Sequence, residues 1–191
     1  MDTKSLLVQA LEREFQLTQI VLERITENHT EWKPHKKSMS LKQLSSRIAN
    51  LAGLMLLILQ ESELDFSKAS RKPQIFKTKT ELLKTFDELC KQVLEFVSDS
   101  NNEYLSQALK MRNVHNANEF FIPYRATWIR EVVSVLIDYR KKLLGYLLSL
   151  DREESWFGRE GELGLGYLRL LNIPLPGFYG PSADEQSIKI R

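Results

Sequence analysis

The stretch Ser40–Leu59, SLKQLSSRIANLAGLMLLIL, decides how the chain is read. Leu44, Leu51, Leu54 and Ile58 sit at three- and four-residue steps on either side of Arg47, the spacing of one helical face. Ser40 followed by Gln43 is the pattern of a capping box, which places the helix start at that serine. Arg47 interrupts the face with a permanent charge. Either the face lines something polar, or the guanidinium reaches past the core to water.

Three further segments carry the same period. One runs from about Thr3 to Asn28, with Leu7, Leu11, Phe15, Thr18, Leu22 and Ile25 in phase. Another opens on Thr78 and Glu81, a second capping-box pair, and continues through Phe86, Leu89, Val93 and Phe96. The last covers roughly 126–150, with Ile129, Val132, Leu136, Tyr139, Leu143 and Tyr146 in step. Only Glu119–Ile122 alternates enough to suggest a strand.

Of the eight glycines, Gly53 and Gly145 alone precede residue 158, so a glycine-poor helical body gives way to a turn-rich tail. Apolar stripes on four long helices pack best as a four-helix bundle. A glycine inside a helix costs about 1 kcal/mol against alanine, so Gly53 and Gly145 are expected at close helix–helix approaches. The connection 98–125 is long and asparagine-rich, and is expected to be an ordered loop crossing the bundle. No linker divides the chain, and 191 residues suffice for one domain, 1–191.

The bulk chemistry is ordinary. Charged residues make up 27% and the net charge is +2, with no basic block of the kind that binds nucleic acid. The longest apolar run, Leu51–Leu59, is far short of the ~20 residues of a membrane span. One cysteine, Cys90, precludes an internal disulfide and suits a reducing, cytoplasmic location, as does the lack of a signal-peptide pattern. Cys90 lies in phase with Phe86 and Val93 and reads as a small core residue. His29, His35 and His115 have no partner at i,i+4, and the first two flank Trp32 in a loop. The glycines of GREGELGLGYLRLL lack the strand and helix of a phosphate loop. Ser182, Asp184 and Glu185 have no histidine nearby to act as base.

Three segments resemble the DinB/YfiT-like family of small bacterial helical proteins. They are WKPHKKSMSLKQLSSRIANL (Trp32–Leu51), FFIPYRATWIREVVSVLIDYRKKLLGYLLSL (Phe120–Leu150) and NIPLPGFYGPSADE (Asn172–Glu185). The resemblance implies an all-α, DinB-like four-helix bundle with a long loop before helix four and a turn-rich C-terminal extension. It also implies a divalent metal such as zinc or nickel, held by one histidine of the second helix and two of the fourth at i and i+4.

This chain departs from that pattern at every ligand. The second-helix histidine falls at Arg47. Where the family commonly has His-His-Arg-Gly-Gln-Leu, the chain has Asp138–Leu143, and the helix-four ligands map to Val135 and Tyr139. A second register, with REGELGLGYLRLLNIP as the last helix, puts them near Trp156 and Glu160, again without histidine. Valine cannot ligate, and arginine repels a cation.

Two functions compete. A bundle without the metal site, and without a cofactor, would bind a small acidic ligand at Arg47 and Tyr139, with Val135 and Asp138 beside them. Alternatively, an atypical site supports a metal-dependent hydrolase or a thiol-dependent transferase. A third reading is a homodimer, with Leu56, Leu57 and Leu59 as off-stripe contacts.

Overall fold

The computed structural model describes residues 2–65, 73–112, 119–122 and 124–157. The chain divides into two compact units, Met1–Leu150 and Asp151–Arg191, and the helical bundle is the first of them.

Among the described residues four long helices dominate: α1 (Thr3–Leu22), α2 (Leu41–Gln60), α3 (Lys79–Asp99) and α5 (Arg125–Phe157). Between them come a 3-10 turn (Glu27–His29), a short helix α4 (Asn102–Leu105) and three short strands. The architecture is the all-α bundle expected, with a small sheet added.

The stripe of α1 forms its buried face as read from the sequence: Leu7, Leu11, Phe15, Thr18 and Leu22 are all buried. Phe15 meets Phe86 of α3 edge-on, ring centroids 6.2 Å apart, where the two helices pack. α1 stops at Leu22, short of the expected Asn28. Arg24 and Ile25 turn to i→i−3 hydrogen bonds on Val21 and Leu22, and Thr26 is extended. Ile25 nevertheless stays in the core.

Of α2, only Gln43, Arg47 and Gln60 are exposed. A helix apolar on nearly all sides belongs at the centre of its protein. The capping box at Ser40 is complete: Gln43 N–H donates to Ser40 Oγ, and Ser40 N–H donates to Gln43 Oε1. The next free amides, Leu41 and Lys42, donate to the carbonyls of Trp32 and Thr30. The box at Thr78 is one-sided. Thr78 Oγ1 accepts from Glu81 N–H, but the Glu81 carboxylate accepts from Lys77 N–H and Gln74 Nε2 instead. Asn50 and Ser46 of α2 bind the backbone of Gln74 and Phe76, which seats the Phe76 ring in the core.

None of α1, α2 and α3 has a basic residue in its own last turn. The cations come from the first turns of neighbours. Lys4 Nζ of α1 donates to Ser98 O at the end of α3 (2.9 Å), and Lys79 Nζ of α3 donates to Glu23 O past the end of α1. Arg125, the first residue of α5, donates through Nη1 to Ile58 O and to Glu61 O (2.7 Å) at the end of α2. Tyr104 Oη donates to Leu59 O between them, and the Arg125 guanidinium lies 4.8 Å above the Tyr104 ring. These contacts make α1–α3 and α2–α5 antiparallel pairs. The pairs meet where Gly53 of α2 approaches Leu89 of α3 and where Arg140 of α5 reaches Glu14 of α1.

Part of the expected loop 98–125 is structure. β2 (Leu109–Arg112) pairs antiparallel with β3 (Glu119–Ile122), the segment whose alternation suggests a strand, and parallel with β1 (Glu63–Asp65). The register sets Glu63 against Lys110, whose charges are 3.8 Å apart. Leu64 and Leu109 are buried beneath the sheet.

The glycine expectation needs correcting. A methyl at Gly53 would meet Leu89 Cδ1 at an ordinary 3.7 Å, and at Gly145 nothing lies within 4 Å. Neither glycine is required by a close approach, so Gly145→Ala is expected to stabilise the fold by up to about 1 kcal/mol in urea denaturation. Conversely, Arg125→Met removes a buried charged donor from two α2 carbonyls and is expected to cost about 2–3 kcal/mol in the same assay. Lys79→Met, at a partly exposed carbonyl, is expected to cost less than about 1 kcal/mol.

Candidate functional site

α2 and α5 run antiparallel, and three contacts along them define a seam. At one end Arg125 caps α2; midway Arg47 meets Tyr139; further along α5, Trp32 meets Tyr146. Helical period puts Val135, Tyr139, Lys142 and Tyr146 on one stripe of α5, at steps of four, three and four.

Arg47 is exposed, which corrects its placement on a core-facing stripe. The buried arc of α2 centres on Leu41, Leu44, Ile48, Ala52, Met55 and Leu59, and Arg47 sits on its flank. Its guanidinium lies over the Tyr139 ring, 5.4 Å from the centroid. A guanidinium that faces a ring rather than a carboxylate has N–H donors left for an anion. No carboxylate among the described residues pairs with it. Asp138 is exposed and forms no ion pair with Arg47, and Val135 is 42% exposed.

One and two turns along, Lys142 Nζ stands 6.0 Å from the Tyr146 ring centroid. The Trp32 ring meets Tyr146 edge-on at 5.8 Å. Tyr146 is buried, and its hydroxyl has no hydrogen-bond partner among the described residues.

Among the described residues the buried arginines are Arg125 and Arg140, neither of which stands out in the sequence. Arg140 Nη1 lies 2.6 Å from Glu14 Oε2, an ion pair largely shielded from solvent. The same Nη1 donates to Glu14 O (3.2 Å) and reaches Thr18 Oγ1 at 3.5 Å. Thr18 is the polar residue in the apolar stripe of α1, but its hydroxyl donates to Glu14 O of its own helix and so does not by itself call for an arginine.

The remaining candidates resolve into structural roles or fall outside the described residues. His29 Nδ1 bonds Thr26 Oγ1, and His35 Nδ1 accepts from Lys37 N–H, so both serve turns. Cys90 is buried, and burial, reinforced by the Asp87 charge, pushes its thiol pKa far up. His115, Glu160, Ser182, Asp184, Glu185 and the tail glycines lie outside the described residues, as does the Trp156 side chain. Leu56 and Leu59, two of the three expected dimer contacts, are in the core of the single chain, and Leu57 is half-buried.

The residues at the expected metal positions do not fit a metal. Arginine has no lone pair to give, valine has no donor atom, and only the Tyr139 oxygen is left. Among the described residues, no three His, Cys, Asp or Glu side chains gather so as to hold an ion. Nor is any described helix long and apolar enough to cross a membrane.

The fold has a solved counterpart. The crystal structure of a DinB-like protein from Bacillus subtilis matches with a TM-score of 0.57 at 14% identity, over 75% of this chain and 90% of that one. At that identity the likeness concerns the fold. No protein-family model matches the sequence, and no curated protein does.

A neutral, buried thiol is a poor nucleophile. Cys90 is therefore expected to resist iodoacetamide at pH 8 in the folded protein and to react at once in denaturant, read by mass spectrometry. Because its folded pKa lies above the unfolded one, stability from this group is complete below about pH 8.5 and declines above it.

Proposed function

We propose that this chain is a DinB-like bundle that works without a divalent-metal site and binds a small anionic ligand at the α2–α5 seam. The observation that carries the reading is Arg47: an exposed guanidinium held over Tyr139 with no carboxylate among the described residues to neutralise it. A carboxylate or phosphate fits the in-plane fork of such a group, and the Tyr139 hydroxyl is a second donor nearby. Val135 and Asp138 border the position without contributing a ligand atom to a metal. Binding, rather than turnover, is the role assigned to these residues.

The competing reading, a metal-dependent hydrolase or thiol-dependent transferase, requires ligands other than those at positions 47, 135 and 139. Untagged protein analysed by plasma mass spectrometry is expected to carry no stoichiometric zinc, nickel or manganese; one equivalent of any of them would overturn the reading. Titration with acetate and inorganic phosphate, followed by amide and arginine side-chain NMR shifts, is expected to move Arg47 first. Arg47→Gln, a change at an exposed site, is expected to weaken anion binding about tenfold or more while leaving the thermal midpoint unchanged. Equal binding by the variant would place the anion elsewhere.

A further inference from the structure

Arg47 is one of two exposed cations that lie over aromatic rings of α5 along this seam. Lys142 is the other, over Tyr146, and neither makes an ion pair among the described residues. The two supporting rings belong to the same face of α5. Tyr139 and Tyr146 are seven residues apart, two turns, so they stand about 10 Å apart along the helix. Asp138, one turn before Lys142, is exposed and pairs with neither cation. Glu31, on the loop that carries Trp32, is engaged by Lys42 at 3.5 Å.

The Lys142 end has a second feature of its own. Tyr146 is only 7% exposed, yet its hydroxyl has no partner among the described residues. An unmet buried hydroxyl is unfavourable, and a hydrogen-bond acceptor brought to it would relieve that cost. Trp32 closes on the same ring from the side, 5.8 Å between centroids. Tyr139 is half-buried, and the part of its ring left open offers methylene groups an apolar contact.

From this spacing we infer that the seam has two anion positions and takes an extended ligand with an anionic group at each end. This rests on the anion-binding reading of Arg47 and adds the ligand's length and double charge. The first anion lies in the Arg47 fork over Tyr139. The second lies at Lys142, within reach of the Tyr146 end, and the linker runs along α5.

The test uses the full chain and a series of simple acids: octanoate, succinate, adipate, suberate and sebacate, titrated by calorimetry and by NMR. Suberate and sebacate are expected to bind about tenfold more tightly than octanoate or succinate, because the second contact becomes intramolecular. Lys142→Gln is expected to erase that preference and leave octanoate binding as it was; Arg47→Gln is expected to weaken every acid. The Trp32 indole resonance is expected to shift with suberate and not with succinate. Equal affinity for octanoate and suberate, or a length preference that survives Lys142→Gln, overturns the two-position site but leaves a single anion site at Arg47. Failure of all five acids to bind overturns both. The two variants alter exposed side chains, so unchanged circular dichroism and thermal midpoint are expected throughout.

Discussion

The helix ends of this bundle are completed by charges borrowed from elsewhere in the chain. The carboxyl end of a helix leaves carbonyls without partners and carries partial negative charge. Local sequence answers neither need in α1, α2 or α3, because no lysine, arginine or histidine occupies their last turns. Lys79, Arg125 and Lys4 supply the missing donors, each from the opening turn of an antiparallel neighbour. A cation in a first turn is unfavourable to its own helix, so the arrangement makes sense only between packed partners. Arg125 is the most committed of the three. It is buried, it serves two carbonyls, and it shares the end of α2 with Tyr104.

The seam inherits its shape from that arrangement. With α5 starting at the end of α2, the later residues of α5 run back toward the start of α2, so position 139 meets position 47 and position 146 meets the Trp32 loop. The amides at the start of α2 are already taken by Ser40 Oγ and by the carbonyls of Trp32 and Thr30. An anion therefore finds no free helix terminus there, and side-chain cations are what the seam offers it.

Periodicity carries most of the fold. The stripe of α1 and the cap at Ser40 are legible because each depends on spacing within a few residues. What periodicity misses depends on distant pairings. The sheet needs Glu63–Asp65 and Leu109–Arg112, three- and four-residue segments too short to show a period. Spacing makes Arg47 core-facing because Leu51, Leu54 and Ile58 share its phase, yet Leu51 and Leu54 are only half-buried. In a helix covered nearly all round, apolar spacing no longer marks the centre of the buried arc. The same cover explains why LAGLMLLIL looks like surplus surface. The pairing of positions 47 and 139 comes from family resemblance, and nothing in periodicity alone joins them.

The Glu14–Arg140 pair acts as a key against sliding. Apolar stripes are forgiving of a shift by one turn, about 5.4 Å, since leucine replaces leucine. Such a shift of α5 along α1 would carry Arg140 away from Glu14 and Thr18 and leave buried charge uncompensated, at a cost of about 3–5 kcal/mol. Tyr139 is the next residue in the chain. Locking Arg140 to α1 thus locks Tyr139 opposite Arg47, and a contact on one side of α5 fixes the vernier setting of the seam on the other.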